Sequence, residues 1–170
     1  VGCAGVAVAA GFSRAIGFDM GGTSTDVSRF DGRFEYEYET EKAGVRLVTP
    51  MMAIQTVAAG GGSLCQFDGA KLVVGPGSAG ADPGPACYGQ GGDQPTVTDA
   101  DLILGLLNPD YFLGGKMVLD TAGADRAVWD LAQQLKMDLQ RMAWGIHRMV
   151  DENMANAARV HAAERGIDIR

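Results

Sequence analysis

The chain has 170 residues, 46% hydrophobic and 21% charged, and its 14 Lys and Arg against 21 Asp and Glu leave a net charge of −7. That is the size of one ordinary domain with enough chain to bury a core, and the composition excludes a disordered segment. The acidic balance argues against non-specific binding to nucleic acid or anionic membranes, yet leaves phosphate ligands open, because backbone N–H groups hold those without cationic side chains.

The opening ten residues are apolar but lack a basic leading region and a starting Met, so they read as an element of a longer chain rather than a signal peptide. Ala15-Ile16-Gly17-Phe18 is a short apolar strand delivering Asp19 at its end, Gly21-Gly22 makes a tight turn, and Asp26-Val27-Ser28-Arg29-Phe30 is a second strand. Phe18 and Val27 are the expected buried positions on either side of that turn. Asp31-Gly32 predicts a type I′ hairpin. The strand after it alternates, with Phe34, Tyr36 and Tyr38 on the face expected to be buried and Glu35, Glu37 and Glu39 on a solvated face. Further on, Leu64-Cys65-Gln66-Phe67 and Lys71-Leu72-Val73-Val74 flank a second turn at Asp68-Gly69. Residues 1–74 are therefore expected to be mainly β.

Glycine is over-represented, 25 in all, and 15 of them lie between Gly60 and Gly123. Residues 75–92 hold seven Gly and three Pro, within a Gly/Pro loop over 75–95. Long irregular loops in compact domains usually carry function. Its prolines and Ala86-Cys87-Tyr88 predict an ordered, anchored loop rather than a linker.

Residues 98–166 read as mainly α. Thr98 is the expected N-cap of a helix, with Asp101 at its third position, and Asn108-Pro109 closes it. Ala124, Ala127, Val128, Leu131 and Leu135 recur at helical spacing. Asp138 caps a long helix with the stripe Leu139, Met142, Ala143, Ile146, Met149, Val150, Met154 and Ala157, and Gly166 ends it. The methionines read as core packing, and His147 and His161 as surface or structural histidines, since no Cys or His stands at ligand spacing. Strands first and helices after make the class α+β or a variant of α/β. No apolar run nears the ~20 residues that span a bilayer. Cys3, Cys65 and Cys87 are odd in number without zinc spacing, which points to reduced, cytoplasmic thiols.

The segment with chemistry in it is Asp19-Met20-Gly21-Gly22-Thr23-Ser24-Thr25-Asp26. Two adjacent glycines let a turn offer N–H groups to an anion, and Thr23, Ser24 and Thr25 add hydroxyl donors. Asp19 is suited to hold Mg²⁺, directly or through its water shell, or to orient an attacking water. Asp26 is either a second polar ligand or a cap on the strand turn. No Gly-Lys-Ser/Thr follows and no helix opens, so this is neither a Walker A loop nor a dinucleotide fingerprint. The plain alternative is a hairpin turn with Thr and Ser as strand formers.

This segment continued to Val27 resembles the second phosphate loop of the hydantoinase A / 5-oxoprolinase family. So do Thr56-Val57-Ala58-Ala59-Gly60-Gly61-Gly62-Ser63, the loop Val74-Gly75-Pro76-Gly77-Ser78-Ala79-Gly80-Ala81-Asp82-Pro83-Gly84-Pro85-Ala86-Cys87-Tyr88, and Pro95-Thr96-Val97-Thr98-Asp99-Ala100. Asn153-Met154-Ala155 and Glu164-Arg165-Gly166-Ile167-Asp168 fit its late helix. The resemblance implies a ribonuclease H-like lobe of the actin/sugar-kinase/chaperone ATPase superfamily, a mixed sheet with hairpins packed by C-terminal helices. It implies cleavage of a small cyclic amide with ATP and Mg²⁺, by phosphorylation of the amide carbonyl oxygen and then water attack. On that footing Asp19 is catalytic, Gly21, Gly22, Thr23, Ser24, Thr25, Gly60, Gly61 and Gly62 bind the nucleotide, and Asp19 and Asp26 hold the metal. Sister branches of the family are subunits of ATP-dependent ketone carboxylases, and a non-catalytic domain retaining the fold is the third reading. The implied partners are a B-type hydantoinase subunit or domain and the rest of the parent chain. The family's first phosphate loop is expected upstream of Val1 and an adenosine-side segment beyond Arg170, so 1–170 is expected to be a single partial domain. Gln55 and Ile167-Asp168-Ile169 depart from the His and His-Asp-Pro common in the family, which leaves the substrate open.

Overall fold

The computed structural model of the chain describes residues 1–42 and 44–166, so the family-pattern positions 167–169 lie outside the described residues. The chain is mixed α/β and divides into two compact units: Val1–Asp19, Asp26–Thr56 and Ala157–Arg170 form one, and Met20–Thr25 with Val57–Asn156 form the other.

In the first unit the apolar opening is a helix, α1 (Gly2–Ala9), although the N-terminal third reads as β. A run of Gly, Ala, Val and Cys shows neither the helical nor the strand period, and alanine favours the helix. Strands β1 (Arg14–Met20), β2 (Thr25–Asp31) and β7 (Ile54–Val57) form a sheet in the order β1-β2-β7. Two antiparallel ribbons lie between β2 and β7 in sequence. They pair β3 (Tyr36–Glu37) with β6 (Met51–Met52), and β4 (Thr40–Lys42) with β5 (Val45–Leu47).

Three expectations fail in this unit. Val27 is buried at 1% exposure, but Phe18 is 50% exposed. The strand expected after Asp31-Gly32 meets β2 only at a Phe30–Phe34 bridge, with ring centroids 5.4 Å apart, and its later part pairs with β6 instead. Its burial also departs from the alternation at three positions: Tyr36 and Tyr38 are 50% and 66% exposed and the Glu35 side chain is mostly buried, while Phe34 is half-buried and Glu37 and Glu39 are exposed as expected. Glu35 bonds Arg29 and lies 3.2 Å from Arg165 Nε, and Arg165 also bonds Glu37 at 2.8 Å. A carboxylate held by two guanidiniums is buried at a cost that alternation alone cannot reveal.

The second unit holds the main core. Strands β8 (Ser63–Phe67) and β9 (Leu72–Ser78) form an antiparallel hairpin whose turn is held by Asp68, accepting the N–H groups of Ala70 and Lys71 at 2.9 Å. Strand β9 continues past Val74 to Ser78, further than the apolar run indicates, and so takes in the first part of the Gly/Pro loop. The rest of that loop is packed, with Gly84 to Cys87 buried and a 3₁₀ turn over Ala86–Tyr88.

Helices α2 (Val97–Ile103), α3 (Thr121–Gln134) and α4 (Leu139–Ala163) follow. The expected stripes of α3 and α4 supply the core, where Val128, Leu131, Met142, Ile146 and Val150 surround Cys65, Val74 and Val97. Asp138 caps α4 as expected, accepting the Arg141 N–H at 2.9 Å. The cap of α2 is Thr96 with Asp99, not Thr98 with Asp101, and the helix is closed near Gly105 (φ +75°) rather than at Asn108-Pro109.

Candidate functional site

Four residues, Gly21 to Ser24, join β1 to β2. The Gly21 N–H donates to the Ser24 carbonyl at 2.8 Å and closes them into a turn. Thr25 is fully buried, and its hydroxyl donates to the Ala59 carbonyl at 2.6 Å. The second glycine run lies directly against this turn. The Gly61 N–H donates to the Gly21 carbonyl at 3.1 Å and the Gly62 N–H to the Gly22 carbonyl at 2.6 Å.

The close approach explains the residue type. A Cβ on Gly60 would stand 2.5 Å from the Gly21 oxygen, and one on Gly62 would stand 2.9 Å from the Gly22 oxygen. No side chain fits between the two backbones. The far side of the run is also held. The Gly61 carbonyl accepts both the N–H and the hydroxyl of Thr98 at 2.8 Å, and the Gly60 N–H donates to Ser63 Oγ at 2.9 Å.

These bonds sort the expected nucleotide-binding residues by what they have left to offer. The N–H groups of Gly61 and Gly62 are engaged in holding the turn, that of Gly21 closes it, and that of Gly60 is taken by Ser63. The N–H groups of Gly22 and Thr23 have no hydrogen-bond partner among the described residues, and both residues are exposed. Thr23 Oγ1 lies 3.3 Å from Ser78 Oγ. The donor set left open, backbone N–H groups beside hydroxyls, fits an anion.

Asp19 and Asp26 flank this turn in sequence and belong to the first unit, where both are exposed. Asp26 Oδ1 accepts the Thr56 hydroxyl at 2.6 Å, so one of its oxygens is already committed. Among the described residues no group of three or more His, Cys, Asp or Glu could hold a metal by itself. One or two carboxylates are what a phosphate-bound Mg²⁺ uses, a number that Asp19 and Asp26 can supply.

His147 is structural as expected, with Nδ1 2.8 Å from Asp101 Oδ1 and its ring stacked on Trp144. Burial pushes the Asp101 carboxyl above the usual range, and the His147 bond offsets part of this. His161 is only half satisfied. It is 3% exposed, its Nδ1 is 3.1 Å from Arg165, and its Nε2 has no hydrogen-bond partner among the described residues. Burial and then the Arg165 charge hold it below the ordinary histidine value. Burial raises the thiols of Cys65 and Cys87, which makes them unreactive core residues.

Sequence reasoning missed Ser78, Thr98 and Asp99 as parts of this architecture. Thr98 and Asp99 stand in the same run that suggests a helix start, but the N-cap pattern there occurs twice, two residues apart, and does not say which copy is used.

All 170 residues match the model of the hydantoinase/oxoprolinase family. The chain belongs to that family. It is 43% identical over 161 residues to 5-oxoprolinase 1 of Arabidopsis thaliana, covering 85% of this chain and 13% of that protein. It superposes on the crystal structure of ATP-dependent caprolactamase from Pseudomonas jessenii with a TM-score of 0.88 and 39% identity, over 97% of this chain and 24% of that one. It superposes equally on nucleotide-free acetone carboxylase, an enzyme of ATP-dependent acetone carboxylation, with a TM-score of 0.88 and 29% identity, over 98% and 24% of the two chains. The chain therefore spans a quarter or less of the length of these relatives.

Proposed function

We propose that this chain is a nucleotide-binding piece of an ATP-dependent cyclic amide hydrolase of the hydantoinase / 5-oxoprolinase type. The observation that carries the reading is the turn Gly21 to Ser24, held from behind by Gly60 to Gly62 while the Gly22 and Thr23 N–H groups stay open. A turn needed only to reverse two strands does not require a second glycine run packed against its carbonyls. On this reading Gly22 and Thr23 hold phosphate oxygens, with the positioning supplied by Thr25 and the glycine run. Asp19, with Asp26, holds Mg²⁺ or orients water. ATP supplies the phosphoryl group that activates the amide carbonyl. The 41% identity to caprolactamase subunit alpha and the likeness to 5-oxoprolinases support the amide. The fold is read as part of one ribonuclease H-like lobe of an actin-type ATPase, working in the cytoplasm with a B-type subunit or domain. The likeness to acetone carboxylase favours a second reading, in which the same nucleotide site serves carboxylation of a ketone.

The test is ATP hydrolysis by the parent protein with its partner subunit, driven in turn by hydantoin, 5-oxoproline, caprolactam, or acetone with bicarbonate. Stimulation by a cyclic amide is expected. Asp19→Ala is expected to abolish it with an unchanged melting temperature, because an exposed strand residue contributes little packing. Stimulation only by the ketone would move the chain to the carboxylase branch, and near-normal turnover in Asp19→Ala would remove that residue from the chemistry.

A further inference from the structure

We infer that Ser78 is a further phosphate-binding residue of this site, acting as a pair with Thr23; the inference rests on the nucleotide reading above. Ser78 lies outside the Asp-x-Gly-Gly-Thr segment by more than fifty residues, and the pairing is made entirely by the fold. Ser78 ends β9, directly opposite Ser63 in the β8–β9 ladder. Ser63 immediately follows Gly62, whose N–H holds the Gly22 carbonyl. The register thus carries the Ser78 hydroxyl to the same turn that Gly62 supports, and brings it to 3.3 Å from Thr23 Oγ1.

Three features make this a ligand position rather than a chance contact of two hydroxyls. The Ser78 oxygen already accepts the Gly80 N–H at 3.1 Å, which fixes the oxygen and leaves its proton to be donated. The approach beneath the pair is close: a Cβ on Gly62 would come within 2.9 Å of the Gly22 oxygen and 3.1 Å of Ser78 Oγ. Finally, the donors are otherwise few. With the N–H groups of Gly21, Gly60, Gly61 and Gly62 engaged, the turn has, among the described residues, the N–H groups of Gly22, Thr23 and Ser24 and its hydroxyls to set against three phosphoryl oxygens. The Thr23–Ser78 pair adds two hydroxyl donors side by side, suited to one shared phosphate oxygen.

The experiment measures ATP and adenosine affinity of the parent protein by calorimetry for wild type, Ser78→Ala, Ser78→Cys, Ser78→Thr and Thr23→Ala. Ser78→Ala and Ser78→Cys are expected to weaken ATP about tenfold or more, the effect of a lost hydrogen bond to a charged group, and to leave adenosine unchanged. Ser78→Thr, which keeps the hydroxyl, is expected to bind ATP within about threefold of wild type. Ser78→Cys keeps the size of the side chain but is a poor donor, so it decides the matter if Ser78→Ala does not fold. If Thr23→Ala weakens ATP binding while neither Ser78→Ala nor Ser78→Cys does, Ser78 only braces its own turn and the inference is overturned, with the phosphate-loop reading intact. If neither Thr23 nor Ser78 variants change ATP affinity, or wild type binds no ATP, the phosphate-loop reading itself fails.

Discussion

Asp99 shows how one buried carboxylate decides local structure. It is fully buried and accepts the Thr96 N–H at 2.9 Å, the Thr96 hydroxyl at 2.8 Å, the Cys87 N–H at 2.8 Å and the Ala86 N–H at 3.3 Å. It therefore caps α2 and pins the middle of the Gly/Pro loop at once. Asp99→Ala would leave these donors unpaired in the core, at about 1–3 kcal/mol each. Urea unfolding of the chain is expected to show a loss of at least about 3 kcal/mol, and hydrogen exchange to show deprotection at Ala86 and Cys87. His161 makes a pH prediction. Its folded-state pKa lies below the ordinary value near 6.5, so the unfolded chain binds the proton more readily. Its contribution to stability is present in full above about pH 6.5 and is lost as the pH falls through the depressed value. Glu35, Glu37 and Glu164 act against that shift, but burial and Arg165 prevail. Amide protection at the C-terminal end of α4 is expected to fall as the pH is lowered below about 6.5, and His161→Gln to remove that slope while leaving any carboxylate-driven loss at lower pH.

Among the elements, the second glycine run depends on close packing against the turn. Gly62→Ala would drive a methyl group to 2.9 Å from a backbone oxygen, and the backbone must shift to relieve it. A cost of about 1–3 kcal/mol is expected in chemical unfolding, with ATP-dependent turnover of the parent protein lost further than stability, since the Gly22 carbonyl it displaces belongs to the open turn. Gly69→Ala, at a β8–β9 turn glycine with φ +96° and open space around it, is the control: strained but without effect on turnover. Much of the element structure was legible because its signals are local. The Asp68-Gly69 turn, the Asp138 cap and the stripes of α3 and α4 each follow from residues within four positions of one another. The strand after Asp31-Gly32 was not, since its alternation was real but its partners, Arg29, Arg165 and β6, come from elsewhere in the chain.

For the molecule as a whole, the relatives on which the proposed activity rests are longer, since this chain spans 13% of its Arabidopsis relative and 24% of the caprolactamase chain. The isolated 170 residues are expected to bind ATP at least a hundredfold more weakly than the parent protein, because losing two charge-assisted hydrogen bonds to phosphate at about 1.5–3 kcal/mol each suffices for that. Calorimetry on both proteins checks this, and micromolar binding by the isolated chain would show that the site is complete within it. By itself the sequence determined the mixed α/β class, the helical core stripes and the family, and it singled out the Asp19 to Asp26 segment on which the proposed site rests, because composition, periodicity and contiguous motifs are properties of the chain in order. Only the tertiary structure decided which glycines remain free to donate. That depended on the Gly60 to Gly62 run being packed against the Gly21 and Gly22 carbonyls and on the β8–β9 register setting Ser78 beside Thr23. Backbone hydrogen bonds between residues forty positions apart have no counterpart in residue identity. Glycine permits such an approach, and the packing around it decides whether it occurs.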